Sequence, residues 1–210
     1  MMVMEGGRVG EHRHGTPLAS CSGMKKEADQ VVRTGLAMLN PIAGRNKRRA
    51  VIEVPGGTMT KRSYDPAKGT FPIHRRNGRA EKLAYLPYPC NYGFIPGTRW
   101  TKSDGGDGDP VDVFVICDSL PTGTMLTVEL IGVIEIMDSG ERNDKLIALP
   151  ADPTLKPFRA AAMRDLPKGV RKMLKQFILH HNPADAVRLV AVRGPRAARR
   201  LVNEYRVRKN

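Results

Sequence analysis

Apolar positions in the middle of the chain form short runs, a pattern typical of β-strands rather than of long helices. The run Val113–Cys117 is rich in β-branched and aromatic residues and predicts a buried strand. Met125–Met137 is a longer run of the same kind, and Gly132 within it indicates a bulge or sharp bend, as where a sheet curls into a barrel. Shorter strands are predicted at 51–55, 61–65, 145–149 and 187–192.

Two helices are predicted in the last third of the chain. The first opens at Leu166-Pro167 and ends near 180–183. Its apolar residues recur at helical spacing: Val170, Leu174, Phe177 and Ile178. The second begins at Pro195, a residue suited to a first turn, and runs to about Arg206. These patterns alone predict a mostly β protein with flanking helices, in the α+β class.

The N-terminal segment has a different character from the rest. Residues 1–46 are rich in Gly, Arg, His and Ser and show no sustained period, so we expect a largely disordered basic extension. A short helix near Lys25–Leu39 is the one element that the segment suggests, and Met24 is a second candidate start. Residues 47–210 are expected to form a single domain, long enough to bury a substantial core.

The composition argues against a membrane or secreted protein. No stretch approaches twenty apolar residues, so no membrane span is predicted. The N-terminus lacks the apolar segment of a signal peptide. The three cysteines, Cys21, Cys90 and Cys117, are odd in number and lack metal-ligand spacing, which suggests reduced thiols in a cytosol. We therefore expect a cytoplasmic protein.

The net charge of +14 is unevenly distributed. Residues 51–155 carry a net charge of −3, whereas residues 156–210 carry +12. A basic tail can bind nucleic acid or acidic partners, or can be a solvated helix face. Its aromatic residues are only Phe158, Phe177 and Tyr205, which are too sparse for a base-stacking platform. Nucleic acid is therefore not the expected partner.

A group of carboxylates precedes the buried strand at 113–117. Asp107, Asp109 and Asp112 fall within six residues, and the intervening Gly108 and Pro110 exclude a helix. Close carboxylates raise one another's pKa unless a cation neutralises them. Hard divalent ions such as Mg²⁺ take oxygen ligands of this kind. The stretch thus predicts a divalent metal site, the simpler alternative being an acidic solvated turn.

The spacing of this acidic stretch excludes two further kinds of site. A calcium-binding helix-loop-helix has oxygen ligands at loop positions 1, 3 and 5 and Gly at position 6. Here the third carboxylate takes the sixth position, and a strand follows where a helix should. A phosphotransferase with an aspartate nucleophile carries its Asp-x-Asp after an apolar strand, whereas here the strand comes afterwards.

Other polar positions also lie near predicted strands. Glu53 is a single acid among apolar neighbours and faces either solvent or a polar site, with solvent the simpler expectation for an isolated strand. A strand at 61–65 would place Lys61, Ser63 and Asp65 on one face. Arginines cluster in a polar loop at 75–79.

Two loops precede the acidic stretch. The segment 88–98, Tyr-Pro-Cys-Asn-Tyr-Gly-Phe-Ile-Pro-Gly-Thr, is dense in aromatics, prolines and glycines, which is the composition of a rigid, shaped loop. Residues 98–106 follow as a flexible polar link that contains Trp100, the single tryptophan. For the aromatic residues of the first loop, packing in the core is the alternative role.

Taken together, these segments resemble the soluble family I inorganic pyrophosphatases. The resemblance rests on DGDPVDV at 107–113, YPCNYGFIPGT at 88–98 and VIEVP at 51–55. It covers about 50–206, with short insertions around 76–82 and 99–105. It implies a small closed β-barrel of OB type with flanking helices and Mg²⁺-dependent hydrolysis of inorganic pyrophosphate. It also implies a cytoplasmic homo-oligomer, hexameric in most bacterial members.

The resemblance also assigns roles to residues. It implies that several Mg²⁺ ions are held by five carboxylates: Asp107, Asp109, Asp112, Asp138 and Glu53. It implies that four further side chains bind the phosphate oxygens and, with Asp109, form the catalytic group: Lys61, Arg75, Tyr92 and Lys145. His181 would face the substrate from the end of the first helix. In the implied reaction, a water activated between metal ions attacks one phosphorus of pyrophosphate in line.

The chain departs from the family at four site positions. Ser63 and Asn143 stand where the family has Glu and Asp, and His181-Asn182 stands where it has Tyr-Lys. Asp144 is adjacent to Asn143 but would point to the opposite face of a strand. Each lost charge-assisted contact weakens binding by roughly 1.5–3 kcal/mol. The alternative hypothesis is thus a weakened or inactive relative that binds polyanions or nucleic acid through its basic tail.

Overall fold

A computed structural model describes residues 35–183 and 186–208 of the chain. Over these residues it contains ten strands and two α-helices, joined by loops and short 3-10 turns. The strands are β1 (Ile42–Gly44), β2 (Lys47–Val54), β3 (Arg75–Arg76), β4 (Arg79–Ala80), β5 (Asn91–Phe94), β6 (Asp112–Val115), β7 (Met125–Asp138), β8 (Glu141–Arg142), β9 (Lys145–Pro150) and β10 (Val187–Arg193). The helices are α1 (Lys168–His180) and α2 (Pro195–Glu204).

Five strands close into a ring. β2 pairs with β5, β5 with β6, β6 with β9 and β9 with β7, and β7 pairs back with β2. The β6–β9 pair is parallel, and the other four pairs are antiparallel. β1 extends the sheet from β2, and β8 and β10 extend it from β7. Closure leaves the ring without a free edge, and the predicted small barrel with flanking helices is confirmed.

The barrel strands bury both of their faces, and each face is covered by one helix. Alternate residues of β6 belong to different apolar clusters, with Val113 and Val115 in one and Phe114 in the other. Leu201 of α2 joins the first cluster, and Leu174 of α1 joins the second. Each large apolar side chain buried in this way stabilises the fold by roughly 1.5–3 kcal/mol. No helix in the described part of the chain is long and apolar enough to cross a membrane.

The predicted irregularity at Gly132 is confirmed. The pairing of β7 with β9 shifts register between Leu130 and Gly132. A Cβ atom at Gly132 would lie 2.5 Å from Met163 Cγ and 2.6 Å from the Arg193 carbonyl oxygen. Glycine is therefore required where β7 bends beneath these neighbours, because any side chain would collide with them.

The prediction of a strand at 61–65 is wrong. This segment makes isolated bridges instead, among them Arg62 to Ile73 and Asp65 to Thr70. It folds back on residues 70–82 and does not join the barrel sheet. Within that fold the predicted arginine loop at 75–79 forms part of the β3–β4 hairpin.

The link predicted at 98–106 is a loop with one short 3-10 turn, but part of it is buried. Trp100 is only 1% exposed, and its ring lies 4.4 Å from that of Tyr205. The Arg142 guanidinium lies over the same indole, 5.3 Å from its centre. The polar composition of the segment predicted a loop, but burial of one large apolar ring anchors it to the core.

The described part of the N-terminal extension packs against the barrel. Leu36 is 1% exposed and contacts a cluster with Val51 and Phe94. β1 pairs with β2, and Arg49 Nη1 donates to the carbonyl oxygens of Asn40 and Ile42 at 2.8 Å each. The packed domain therefore includes residues 35–46, which the sequence pattern placed in the extension. Most of the predicted helix at 25–39 lies outside the described residues.

Removal of this packed segment is expected to destabilise the domain. A chain lacking residues 1–45 loses Leu36 and β1, so its free energy of unfolding in urea should fall by about 3 kcal/mol. A chain lacking only residues 1–34 retains both and is the matched control. Equal free energies of unfolding for the two truncated proteins would contradict a structural role for residues 35–45.

Candidate active site

One cavity of about 600 Å³ gathers polar residues from distant parts of the chain. Its volume is in the range of small-molecule binding sites. Nine of the ten site residues predicted from sequence line it: Glu53, Lys61, Tyr92, Asp107, Asp109, Asp112, Asp138, Lys145 and His181. The barrel therefore brings together the two ends of the predicted constellation, which are more than 120 positions apart in the sequence.

A main-chain framework holds the acidic loop at the mouth of this cavity. Asp107 Oδ1 accepts a hydrogen bond from the Asp109 N–H at 2.8 Å, and the Asp109 carbonyl accepts one from Trp100 N–H at 2.8 Å. Arg99 Nε donates to the carbonyl of Gly108 at 3.1 Å. Gly108 has φ +91°, a conformation that favours glycine. The Asp-Gly-Asp sequence thus forms a defined turn that presents two carboxylates to the cavity.

The third aspartate lies on the barrel wall beside a lysine. Asp112 and Lys145 are register partners in the parallel β6–β9 pair. Lys145 Nζ donates both to Asp112 Oδ2 and to Asn143 Oδ1. The Tyr92 hydroxyl is hydrogen-bonded to Asp112, and burial together with the Asp112 charge raises the pKa of Tyr92 well above its ordinary value. At neutral pH the phenol is therefore protonated and able to donate a hydrogen bond.

Asp144 does not take the place of the missing carboxylate at Asn143. Its side chain is 1% exposed, and it accepts from Arg142 Nε at 2.9 Å and from the Ile136 N–H at 3.1 Å. Asn143 and Lys145 both line the cavity, on the opposite side of the strand. Side chains at 143–145 therefore alternate between the cavity and the buried side of the segment, with the period of two expected for extended chain.

Glu53 and Asp109 lie in strongly anionic surroundings. Burial raises the pKa of Glu53 to about 8, and the charges of Asp112 and Asp109 act in the same direction. A hydrogen bond of 2.6 Å from the Tyr64 N–H opposes this shift. Burial, followed by the charges of Asp107 and Asp112, also raises the pKa of Asp109. Glu53 is thus a buried wall residue, not the solvent-facing acid expected for an isolated strand.

Arg75 is the one predicted site residue outside the cavity wall, whereas its neighbour His74 lines the cavity. Arg75 is exposed outside the cavity wall, and its Nη1 donates to the Gly78 carbonyl at 3.0 Å. His74 lines the cavity, and its Nε2 is hydrogen-bonded to Ser63 Oγ. Glu81 lies on the other side of the ring, 3.6 Å from His74 Nδ1.

Sequence reasoning missed His74 because it matched arginine to arginine across an insertion. The backbone pairing of 60–65 with 70–82 determines which side chain faces the cavity, and the His74 N–H donates to the Lys61 carbonyl at 2.9 Å. The departure from the family at Ser63 was the one sequence signal in this region, because Ser63 is the hydrogen-bond partner of His74. Ser63 and His74 are thus a matched pair in this chain.

The end of α1 contributes one of its two expected residues to the wall. His181 lines the cavity, and its ring stacks on Phe177 with centroids 5.4 Å apart. Asn182, which the structure also describes, lies outside that wall. Asp138 enters from the end of β7, where its Oδ1 accepts from Ser139 Oγ at 3.1 Å.

The carboxylates of the cavity are suitable ligands for a hard divalent cation, although they are not already grouped around one point. Within residues 35–183 and 186–208, no three carboxylate, imidazole or thiol groups stand close enough to form a ready-made metal site. The carboxylates nevertheless share one cavity. Burial is the main cause of the raised pKa values of Glu53 and Asp109, and the charges of neighbouring carboxylates, which a cation would neutralise, add to it. Oxygen donors of this type suit Mg²⁺.

Comparisons with known proteins agree with this geometry. A family model described as Inorganic pyrophosphatase matches residues 50–209. An inorganic pyrophosphatase of Bacillus sp. (strain PS3) is 32% identical over 167 residues, which are 77% of this chain and 93% of that protein. The crystal structure of an inorganic pyrophosphatase from Thermus thermophilus matches with a TM-score of 0.68 at 26% identity, covering 82% of this chain and 97% of that one. The chain therefore belongs to the inorganic pyrophosphatase family.

Proposed function

We propose that the protein hydrolyses inorganic pyrophosphate to two phosphate ions and requires Mg²⁺. The observation that carries the proposal is the cavity in which Asp107, Asp109 and Asp112 face Lys61 and Lys145. Carboxylates on one side bind cations, and ammonium groups on the other bind phosphate oxygens. A highly anionic substrate needs both kinds of group.

Five carboxylates are proposed to hold the metal ions: Asp107, Asp109, Asp112, Asp138 and Glu53. Such a cation, when bound, supplies a more acidic water and neutralises charge on the substrate. With a pKa of about 8, Glu53 is mostly protonated, and therefore neutral, at pH 7 in the absence of a cation. Metal binding is therefore expected to release a proton from this part of the site.

The remaining wall residues bind and orient pyrophosphate. Lys61 and Lys145 donate charge-assisted hydrogen bonds to phosphate oxygens, and His74, whose ring nitrogens face Ser63 and Glu81, lines the cavity near Lys61. Tyr92 donates its phenolic proton. Asp109, whose pKa is raised, accepts a proton from the attacking water at its carboxylate.

The alternative of a non-catalytic relative has less support. Nine of the ten predicted residues line one cavity, and His74 lines it with them. The matching relatives are named as inorganic pyrophosphatases. The homo-oligomeric state and the cytoplasmic location implied by the resemblance stay predictions.

Release of phosphate from pyrophosphate tests the proposal directly. We expect phosphate release to saturate with Mg²⁺ and to stop when EDTA exceeds the metal, because the carboxylates then lack the cations that they hold. Re-addition of Mg²⁺ should restore the rate. Equal rates with Mg²⁺ and with EDTA, or no release at any Mg²⁺ concentration, would contradict the proposed function.

A further inference from the structure

A second cavity of about 710 Å³ adjoins the first and has no role in the proposed reaction. It lies between residues 38–42 and the end of α2 with the residues that follow, and we call it the C-terminal groove. Backbone hydrogen bonds hold the chain after α2 in place: the Val207 N–H donates to the Gly97 carbonyl at 2.9 Å, and Arg206 forms an isolated antiparallel β-bridge with Thr98. Met38 and Val207 line both cavities, so the groove begins where the active-site cavity ends.

The polar side chains of the C-terminal groove are hydrogen-bond donors. Asn203 Oδ1 accepts from Arg48 Nη2 at 3.2 Å, and Asn40 Oδ1 accepts from the Ile42 N–H at 3.1 Å. With both amide oxygens occupied, the amide nitrogens remain as donors. Arg206 and Arg208 also line the groove, and a guanidinium has no acceptor. Among the described residues that line it, none carries a carboxylate.

Arg48 lies behind the lining residue Asn203 and is not itself part of the groove wall, and no carboxylate in the described residues forms an ion pair with it. Arg48 is 3% exposed, and its guanidinium donates only to neutral oxygens, those of Asn203 and the Lys47 carbonyl. Its Nε is buried without a partner among the described residues. Burial and the neighbouring Arg199 lower the pKa of Arg48. A buried charge of this kind is stabilised by an anion nearby.

The rest of the groove is apolar. Met38, Leu39, Ile42 and Val207 line it, and Met38 is 51% exposed. A bare inorganic anion would leave these side chains in contact with water. A ligand that carries an apolar body as well as an anionic group would cover them and gain from the loss of exposed apolar area.

We propose that the C-terminal groove binds a small phosphate ester, with its phosphate at Arg206, Arg208 and the amides of Asn40 and Asn203 and its apolar body on Met38 and Ile42. The guanidinium and amide N–H groups of these four side chains are donors, and a phosphate monoester offers acceptor oxygens. This site is separate from the diphosphate-binding residues and goes beyond the proposed hydrolysis. Because the ligand is defined by its chemistry, adenosine monophosphate serves as the probe and orthophosphate as the comparison.

Calorimetric titration of the full chain with these two probes tests the site. Adenosine monophosphate should bind more tightly than orthophosphate, because only the ester covers the apolar wall. The double variant Arg206→Ala/Arg208→Ala should bind it roughly 100-fold more weakly, since two charge-assisted contacts are lost. The control Arg196→Ala/Arg200→Ala removes the same charge from exposed positions on α2 and should keep the wild-type affinity.

The outcomes distinguish the groove from the active-site cavity. Both double variants should hydrolyse pyrophosphate at the wild-type rate, because neither touches the catalytic residues. Equal loss of affinity in the two variants would show a general charge effect and overturn the proposal. Unchanged binding of adenosine monophosphate in the Arg206→Ala/Arg208→Ala variant would overturn it as well, because the ester would then bind elsewhere. Neither result depends on whether the protein hydrolyses pyrophosphate.

Discussion

Replacement of Asp112 by Asn is expected to lower the rate of pyrophosphate hydrolysis by about 100-fold or more while the barrel stays folded. Asp112 accepts hydrogen bonds from Lys145 and Tyr92, which are both wall residues of the cavity. The amide keeps the shape of the side chain but removes its charge. Metal binding then weakens, and Lys145 loses the anion that positions its ammonium group.

Phosphate release at saturating Mg²⁺ measures this effect, and circular dichroism verifies the fold. Asp118→Asn is the matched control, because Asp118 is an exposed carboxylate on the loop beyond β6 and lies outside the cavity. The control should retain the wild-type rate. An Asp112→Asn protein that is folded and as active as this control would refute the role proposed for Asp112.

Gly93→Ala is expected to abolish folding. Gly93 lies in β5 opposite Ile52 of β2, and an added Cβ would stand 1.8 Å from the Val51 carbonyl oxygen and 2.8 Å from its carbonyl carbon. Both atoms belong to the backbone of a buried barrel strand, so they cannot move aside without breaking the β2–β5 pairing. We expect a loss of more than about 4 kcal/mol, a large fraction of the stability of a domain.

Soluble yield and urea unfolding monitored by Trp100 fluorescence test this expectation. Gly169→Ala is the control, because no atom lies within 4 Å of a Cβ at that position of α1 and alanine favours a helix by about 1 kcal/mol. The control should be as stable as the wild type or more so. A Gly93→Ala protein with wild-type stability would show that β2 and β5 lie farther apart than this barrel places them.

The elements that sequence reasoning located correctly are those whose pattern is local. A dozen consecutive residues are enough to recognise each of them: the buried runs of β6 and β7, the bulge at Gly132 and the apolar spacing of α1. The acidic loop was found in the same way, since its three carboxylates are neighbours in the chain. Local periodicity and turn residues suffice for such features.

The features that sequence reasoning missed depend on partners far along the chain. Trp100 is anchored by Tyr205 and Arg142, neither of which a local pattern connects to it. His74 faces the cavity because residues 60–65 fold back on 70–82, and an insertion obscured that register. Leu36 belongs to the core although its neighbours have the composition of a polar extension. Each case is a tertiary contact that overrides local composition.

The parallel pairing of β6 and β9 has a consequence for how activity appears during folding. Asp112 and Lys145 are 33 residues apart in sequence, and the chain between them must complete β7 and the β8 turn before the two strands can meet. Such non-local pairing is slow because the chain must lose the conformational entropy of the closed loop before the new contact can stabilise it. A refolding chain can therefore regain most of its secondary structure while it is still unable to turn over substrate. Catalytic activity should return only in the last kinetic phase, later than the helical circular dichroism signal.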